Sequence, residues 1–358
     1  MNISKLDPNF SLDKSSDNGI CWHDPLYEPF EILGFPWLKT IPGYRRLPPK
    51  SEKLDIPDAV DALANCTSGG QIRFAADAKK IFVRVELAGV ADMCHMPATG
   101  QCGFDCYIGA YGEQRFSNCA KYDRTQDHYE CILFEQESPD WREVTLNFPL
   151  YKGVKSVFVG LNDDAQVKKA QPLKNNKRFI FYGTSITQGG CASRPGMSYP
   201  NILSRRLGVE CINMGFSGNG KGEPILAEMI ASIQNPGCFV LDYAANANYQ
   251  MMEATLAEFI RILRKGHAHV PIVVASVIRY ARNSFIDKFD IDDENYYLMQ
   301  ENIVESFRAN GDKHIFLLDG STILGEDYDE CTVDGVHPND IGFMRLADAF
   351  GAMLGKIT

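Results

Sequence analysis

Apolar and polar residues alternate with period two through the first part of the chain. Gln71-Ile72-Arg73-Phe74 and Ile81-Phe82-Val83-Arg84-Val85-Glu86-Leu87 put every second side chain on one face, and 130–135, 144–148 and 157–160 repeat the habit between turn residues. No long amphipathic helix interrupts them, so residues 1–165 are expected to form an all-β sandwich. The stretch 166–177, rich in Lys and Asn around Pro172, reads as a polar linker. From 178 the rhythm changes. Short continuous apolar runs at 178–182, 209–214, 238–243, 270–278 and 314–319 alternate with helix-length segments at 197–207, 222–234, 249–265 and 289–309, and a last helix is expected over 341–354. That alternation predicts an α/β domain over 178–358: a parallel sheet with helices on both faces and its ligand site at the carboxyl ends of the strands.

A chain of 358 residues favours two cores over one. Its net charge of −10 and its lack of a basic run with interleaved aromatics argue against nucleic acid or an anionic membrane as partner. No apolar run reaches the roughly 18 residues that span a bilayer. Met1 to Asp17 are polar and no signal-type apolar region follows them. Eleven cysteines are many, but Cys131, Cys211 and Cys238 sit inside strand-like runs, where a thiol is a small apolar filler. Cys102 and Cys106 have neither a second pair nor a nearby His pair, so a zinc site is disfavoured. A reduced, cytoplasmic setting fits best, with an exported form stripped of its leader as the alternative.

Candidate chemistry centres on Gly183-Thr184-Ser185-Ile186-Thr187-Gln188-Gly189, a serine at a glycine turn directly after the run Phe179 to Tyr182. Near the other end stands Asp334-Gly335-Val336-His337-Pro338. A serine hydroxyl needs a neutral imidazole to take its proton, and the imidazole needs a partner to hold its tautomer. Asp334 and His337 can supply both from one loop. The alternative is that Asp334 caps the helix starting near Pro338 and His337 merely packs. Charge on an attacked carbonyl oxygen needs fixed donors. Two segments offer them: Asn213 to Gly220 after the second apolar strand, and Asp242 to Asn246 after the third.

In this order the blocks resemble the SGNH (GDSL-type) hydrolase superfamily, with Ser185, Gly218, Asn246 and the Asp334–His337 pair standing where its four motif blocks stand. Thr184 replaces the usual Asp of the first block, and Ala244 and Ala247 depart from the third, which leaves Asn248 as a fallback for Asn246. The front half is similar as well. Gly103-Phe104-Asp105-Cys106-Tyr107 looks like the GxDLY motif of β-sandwich domains that precede such hydrolases, with Cys106 in place of Leu. The resemblance implies a flavodoxin-like three-layer α/β/α catalytic domain behind a jelly-roll-like sandwich. It implies a carbohydrate esterase that removes acyl, typically acetyl, groups from a small-molecule or oligosaccharide substrate, without metal or cofactor. Ser185, Asp334 and His337 would be catalytic, and the oxyanion would rest against the N–H groups of Ser185 and Gly218 and the Asn246 amide. His95, Tyr107 and Arg194 are the candidates for substrate contact. The rivals are a lysophospholipase or thioesterase of the same superfamily, and a carbohydrate-binding protein with a silent hydrolase domain. A lipase-type α/β-hydrolase is disfavoured, because Gly183 to Thr187 lacks the second glycine of GxSxG.

Overall fold

A computed structural model describes residues 19–173, 175–285 and 293–357. The polar amino-terminal stretch and the start of the expected 289–309 helix lie outside them. The chain forms two compact units that interleave along the sequence. One takes the chain up to Arg46, Asn65–Leu173 and Ser193–Gly196, and the other takes Leu47–Ala64, the approach to the parallel sheet as far as Ala192, and everything from Met197 on.

The first unit is antiparallel throughout. One sheet orders β1 (Ile20–His23), β9 (Val154–Asn162), β4 (Lys80–Leu87) and β7 (His128–Glu135). The other orders β10 (Val167–Lys168), β3 (Gln71–Ala76), β8 (Arg142–Asn147), β5 (Asp105–Ile108) and β6 (Arg115–Cys119), with β2 (Glu31–Leu33) also on β3. Inward residues of both sheets, including Ile72, Phe74, Val83, Val85, Leu133 and Leu146, make one buried core, the packing of a sandwich. Cys102, Cys106 and Cys131 are part of that core. The stretch read as a linker begins with β10, which pairs with Ala75 and Ala76 of β3.

The second unit carries a parallel sheet in the order β12 (Glu210–Gly215), β11 (Arg178–Gly183), β13 (Pro236–Asp242), β14 (Ile272–Ala275) and β15 (Ile315–Leu318). These strands are short and apolar because most of them are buried on both faces. The helices α4 (Tyr199–Leu207) and α8 (Asp340–Ile357) pack together, and α6 (Tyr249–Gly266) packs with both α5 (Pro224–Ala231) and α7 (Asp293–Ala309). The strand order is the doubly wound 2-1-3-4-5: from β11 the chain adds β12 on one side and then β13 to β15 on the other, so the switch point lies between the parallel neighbours β11 and β13. No described helix is long and apolar enough to cross a membrane.

Candidate active site

The run Phe179 to Tyr182 is buried in β11, flanked by β12 and β13. Gly183 closes the strand where no side chain fits, since a Cβ would collide with Thr187 Oγ1 and the Asp242 carbonyl. The chain then turns at once into the four-residue helix α3 (Ser185–Gln188). Thr184 Oγ1 accepts the Ile186 N–H (3.1 Å), and Thr187 Oγ1 accepts the Thr184 N–H (3.2 Å), a reciprocal cap that fixes Ser185 as the first helical residue. Ser185 therefore stands at the carboxyl edge of the sheet, at the switch point. Behind it the Thr187 hydroxyl donates to Asp242 Oδ2 (2.9 Å), which also accepts from Tyr199 Oη (2.7 Å). Burial pushes the Asp242 carboxyl up to about 6, against the pull of these two donors.

The partner loop closes on itself. Asp334 Oδ1 accepts the N–H groups of Val336 (3.1 Å) and His337 (2.8 Å), while Gly335 takes the left-handed φ of 85° that lets the chain turn so tightly. Asp334 Oδ2 lies 2.8 Å from His337 Nδ1, and His337 Nε2 lies 2.9 Å from Ser185 Oγ. A carboxylate can only accept, so Nδ1 carries the proton and Nε2 offers its lone pair to the serine hydroxyl. Burial raises the Asp334 carboxyl, but the backbone and imidazole N–H groups of His337 and the Val336 N–H outweigh it and hold it below its ordinary value. Helix α8 is capped by Asn339, whose Oδ1 accepts the Ile341 and Gly342 N–H groups (3.0 and 3.1 Å), and Asp334 is not its cap.

The segments after β12 and β13 complete the surroundings. Asn213 Nδ2 donates to Thr187 O (2.7 Å) and Ser217 N–H donates to Gln188 Oε1 (3.0 Å), so the glycine loop is bound to α3. A Cβ on Gly218 would meet nothing, and it is the φ of 68° that favours glycine there. Asn246 ends a 3₁₀ turn (Ala244–Asn246) and donates one amide hydrogen to Phe216 O (3.2 Å), leaving the other in hand. Ser185, Gly218, Asn246 and His337 line one cavity of about 300 Å³. Asn248 is the N-cap of α6, accepting the Met251 N–H at 2.9 Å. Tyr280 and Arg282 also line the cavity. Sequence reasoning passed over both, because no motif marks the residues that follow β14.

The candidates for substrate contact fall in the first unit. Tyr107 is buried on β5, and Arg194 sits on the Ser193–Gly196 turn. The Arg194 guanidinium bonds Tyr107 Oη and Asp105 Oδ2 (3.2 Å) and stacks 3.7 Å from the Phe116 ring centroid. Asp105 Oδ2 also accepts the Gly196 N–H (2.7 Å), so the aspartate of the GxDLY-like motif clasps this turn. His95 is half-buried on the loop before the short helix Ala98–Gln101.

Residues 176–355 match the GDSL-like lipase/acylhydrolase family, and residues 20–167 match the GxDLY domain found at the N-terminus of SGNH-hydrolase-type esterases. No curated protein sequence matches the chain. Among solved structures, a GDSL-like protein of Bacteroides ovatus ATCC 8483 shares 29% identity with a TM-score of 0.86, over 94% of this chain and 98% of that one. A salicylyl-acyltransferase from a tetracycline biosynthetic pathway shares 21% identity (TM-score 0.77, 95% and 99% covered). A family two carbohydrate esterase from Clostridium thermocellum, solved with cellohexaose, shares 13% (TM-score 0.56, 81% and 92% covered), a likeness of fold.

Proposed function

The chain belongs to the GDSL-like lipase/acylhydrolase family, and we propose that it is a serine esterase removing small acyl groups, acetyl foremost, from carbohydrates. We assign the chemistry to residues 178–358, with 1–165 as an accessory sandwich domain and 166–177 as the connector. The observation that carries the reading is the unbroken relay from Ser185 Oγ through both nitrogens of His337 to Asp334, at 2.9 and 2.8 Å. As Ser185 Oγ attacks the ester carbonyl carbon, Nε2 takes its proton. Asp334 holds the Nδ1–H and offsets the imidazolium charge. The carbonyl oxygen becomes an oxyanion facing the N–H groups of Ser185 and Gly218 and the Asn246 amide. His337 then protonates the leaving alkoxide as its C–O bond breaks. Water, deprotonated in turn by His337, attacks the acyl-serine and releases the acid. This sequence uses no metal and no cofactor.

Cavity size supports a short acyl group. A volume of about 300 Å³, with Ile186 and Val336 as its larger aliphatic walls, suits an acetyl ester better than the fatty chain of a lysophospholipid or a long-chain thioester. The carbohydrate assignment draws on the shared fold with family two carbohydrate esterases, one of them solved with cellohexaose. The test is a panel of acetylated sugars against long-chain acyl esters, run with wild type and Ser185→Ala. Acetyl esters should dominate, and the variant should lose about 10⁴-fold or more in turnover. A variant keeping a tenth of wild-type turnover would sink the nucleophile assignment, and faster long-chain hydrolysis would favour the lipid reading.

A further inference from the structure

The turn that carries Asn246 has little of its own to hold it. Ala244, two residues before Asn246, and Ala247, directly after it, are both buried, and an alanine side chain offers no hydrogen bond. Asn246 itself donates its N–H to Tyr243 O (3.0 Å) and one amide hydrogen to Phe216 O (3.2 Å). An oxyanion donor works because it is in place before the charge develops, so the backbone beneath Asn246 has to be fixed. The carbonyls of the two alanines are the handles left for that purpose.

Both are taken by one side chain from another element. Tyr296 stands in the first turn of α7, 1% exposed, with its hydroxyl 3.0 Å from Ala247 O and 3.3 Å from Ala244 O. A hydroxyl has one hydrogen to give, so the two carbonyls share it and the turn is gripped on both sides of Asn246. The ring is held as well: Tyr249, at the start of α6, meets it edge-on with centroids 6.3 Å apart. Burial pushes the Tyr296 phenol far above its ordinary value, so it stays a protonated donor at any working pH.

We propose that Tyr296 is a positioning residue, fixing through the carbonyls of Ala244 and Ala247 the turn from which Asn246 offers its second amide hydrogen to the oxyanion. This rests on the serine-esterase reading above, with Asn246 as a donor. The experiment is a double-mutant cycle on 4-nitrophenyl acetate: wild type, Tyr296→Phe, Asn246→Ala and the double variant, each assayed well below its thermal midpoint. Tyr296→Phe removes one oxygen and keeps the ring. It should lower kcat and kcat/KM together by about tenfold, a fraction of what losing the donor outright costs and the mark of an interaction made only in the transition state. In the Asn246→Ala background the same change should cost less than about twofold, because no donor is left to misplace. Tyr296→Met, a flexible filler without a donor, should repeat the pattern and serves if the Phe variant does not fold. Gln300→Met is the control. Gln300 is fully buried one turn along α7 and donates to Ala275 O (3.3 Å) at the end of β14, not to the turn of Asn246. Its loss should lower the melting temperature, and any change in kcat should be the same with or without Asn246.

A Tyr296→Phe variant as fast as wild type would overturn the inference. So would an equal loss in both backgrounds, which marks a general loosening of the fold. The companion variants separate the levels of failure. If Ser185→Ala hydrolyses the ester as wild type does, the esterase reading falls. If Ser185→Ala is dead but Asn246→Ala is silent, the donor assignment falls and the role of Tyr296 with it. If both are damaged and Tyr296→Phe is not, only the role of Tyr296 falls.

Discussion

Replacing Asp334 by Asn tests the relay with little change of shape. Asp334 makes three contacts: Oδ1 accepts two backbone N–H groups at 3.1 and 2.8 Å, and Oδ2 meets His337 Nδ1 at 2.8 Å. In the Asn variant the amide oxygen takes the place of Oδ1 and keeps both backbone bonds, so the loop stays closed. The amide NH₂ then faces Nδ1, donor against donor. The imidazole escapes by moving its proton to Nε2, and Nε2 can no longer accept from Ser185. Turnover should fall about 10⁴-fold, or about 5 kcal/mol of barrier. The loss of stability should be small, about 1–2 kcal/mol for one charge-assisted bond at a partly exposed site. The assay is steady-state release of 4-nitrophenol from the acetate ester, with thermal unfolding of the same preparations. A folded Asn variant within tenfold of wild type would refute the tautomer argument. Asp334→Ala also loses the two backbone contacts and should unfold at a lower temperature than the Asn variant. The opposite order would refute the account of the loop.

Four further outcomes follow from the same contacts. Asn246→Ala should slow the chemical step by about 10²–10³ with a smaller effect on KM. Asn248→Ala should cost about 1 kcal/mol of stability through the lost cap of α6 and little turnover, and reversed roles in kinetics and melting would move the donor two residues along. Thr187→Val keeps the buried shape but removes both an acceptor for the Thr184 N–H and a donor to Asp242, for a loss of about 2–3 kcal/mol. Unchanged urea unfolding would show that the cap carries nothing. The Asp242 carboxyl, raised to about 6 by burial, binds its proton more tightly in the folded than in the unfolded chain. Stability is therefore lost as pH rises from about 4 through about 6, by about 3 kcal/mol in all, and is level above that. Asp242→Asn should remove this part of the pH dependence, and a wild-type minus variant difference that stays flat from pH 4 to 7 would contradict the raised value.

Strands buried along their whole length were legible and short, partly buried ones were not. The alternation at 71–74 and 81–87 and the apolar runs at 178–182 and 238–243 give themselves away because each faces a core over its whole length. Strands β1, β2 and β6 escaped, since they are short and only partly buried, and packing on a neighbour rather than a pattern makes them strands. Strand β5 hides for another reason. Its first residue, Asp105, is a fully buried carboxylate that breaks the apolar rhythm and is satisfied by Arg194, Gly196 and Asn147, far away in sequence. The 3₁₀ turn of Asn246 and the cap of Asn248 look alike in the sequence, and only the observed backbone separates them.

Local chemistry along the chain thus determined the two kinds of sheet, the strand-end position of Ser185, and the types of group placed at its side, because periodicity and turn residues act over a few positions. The interleaving of the two units, the Asp242 support behind Ser185 and the presence of Arg282 in the cavity were decided by tertiary structure. Each of these depends on which distant segments the folded sheet brings within a few ångströms, and the spacing of residues in a sequence does not contain that information.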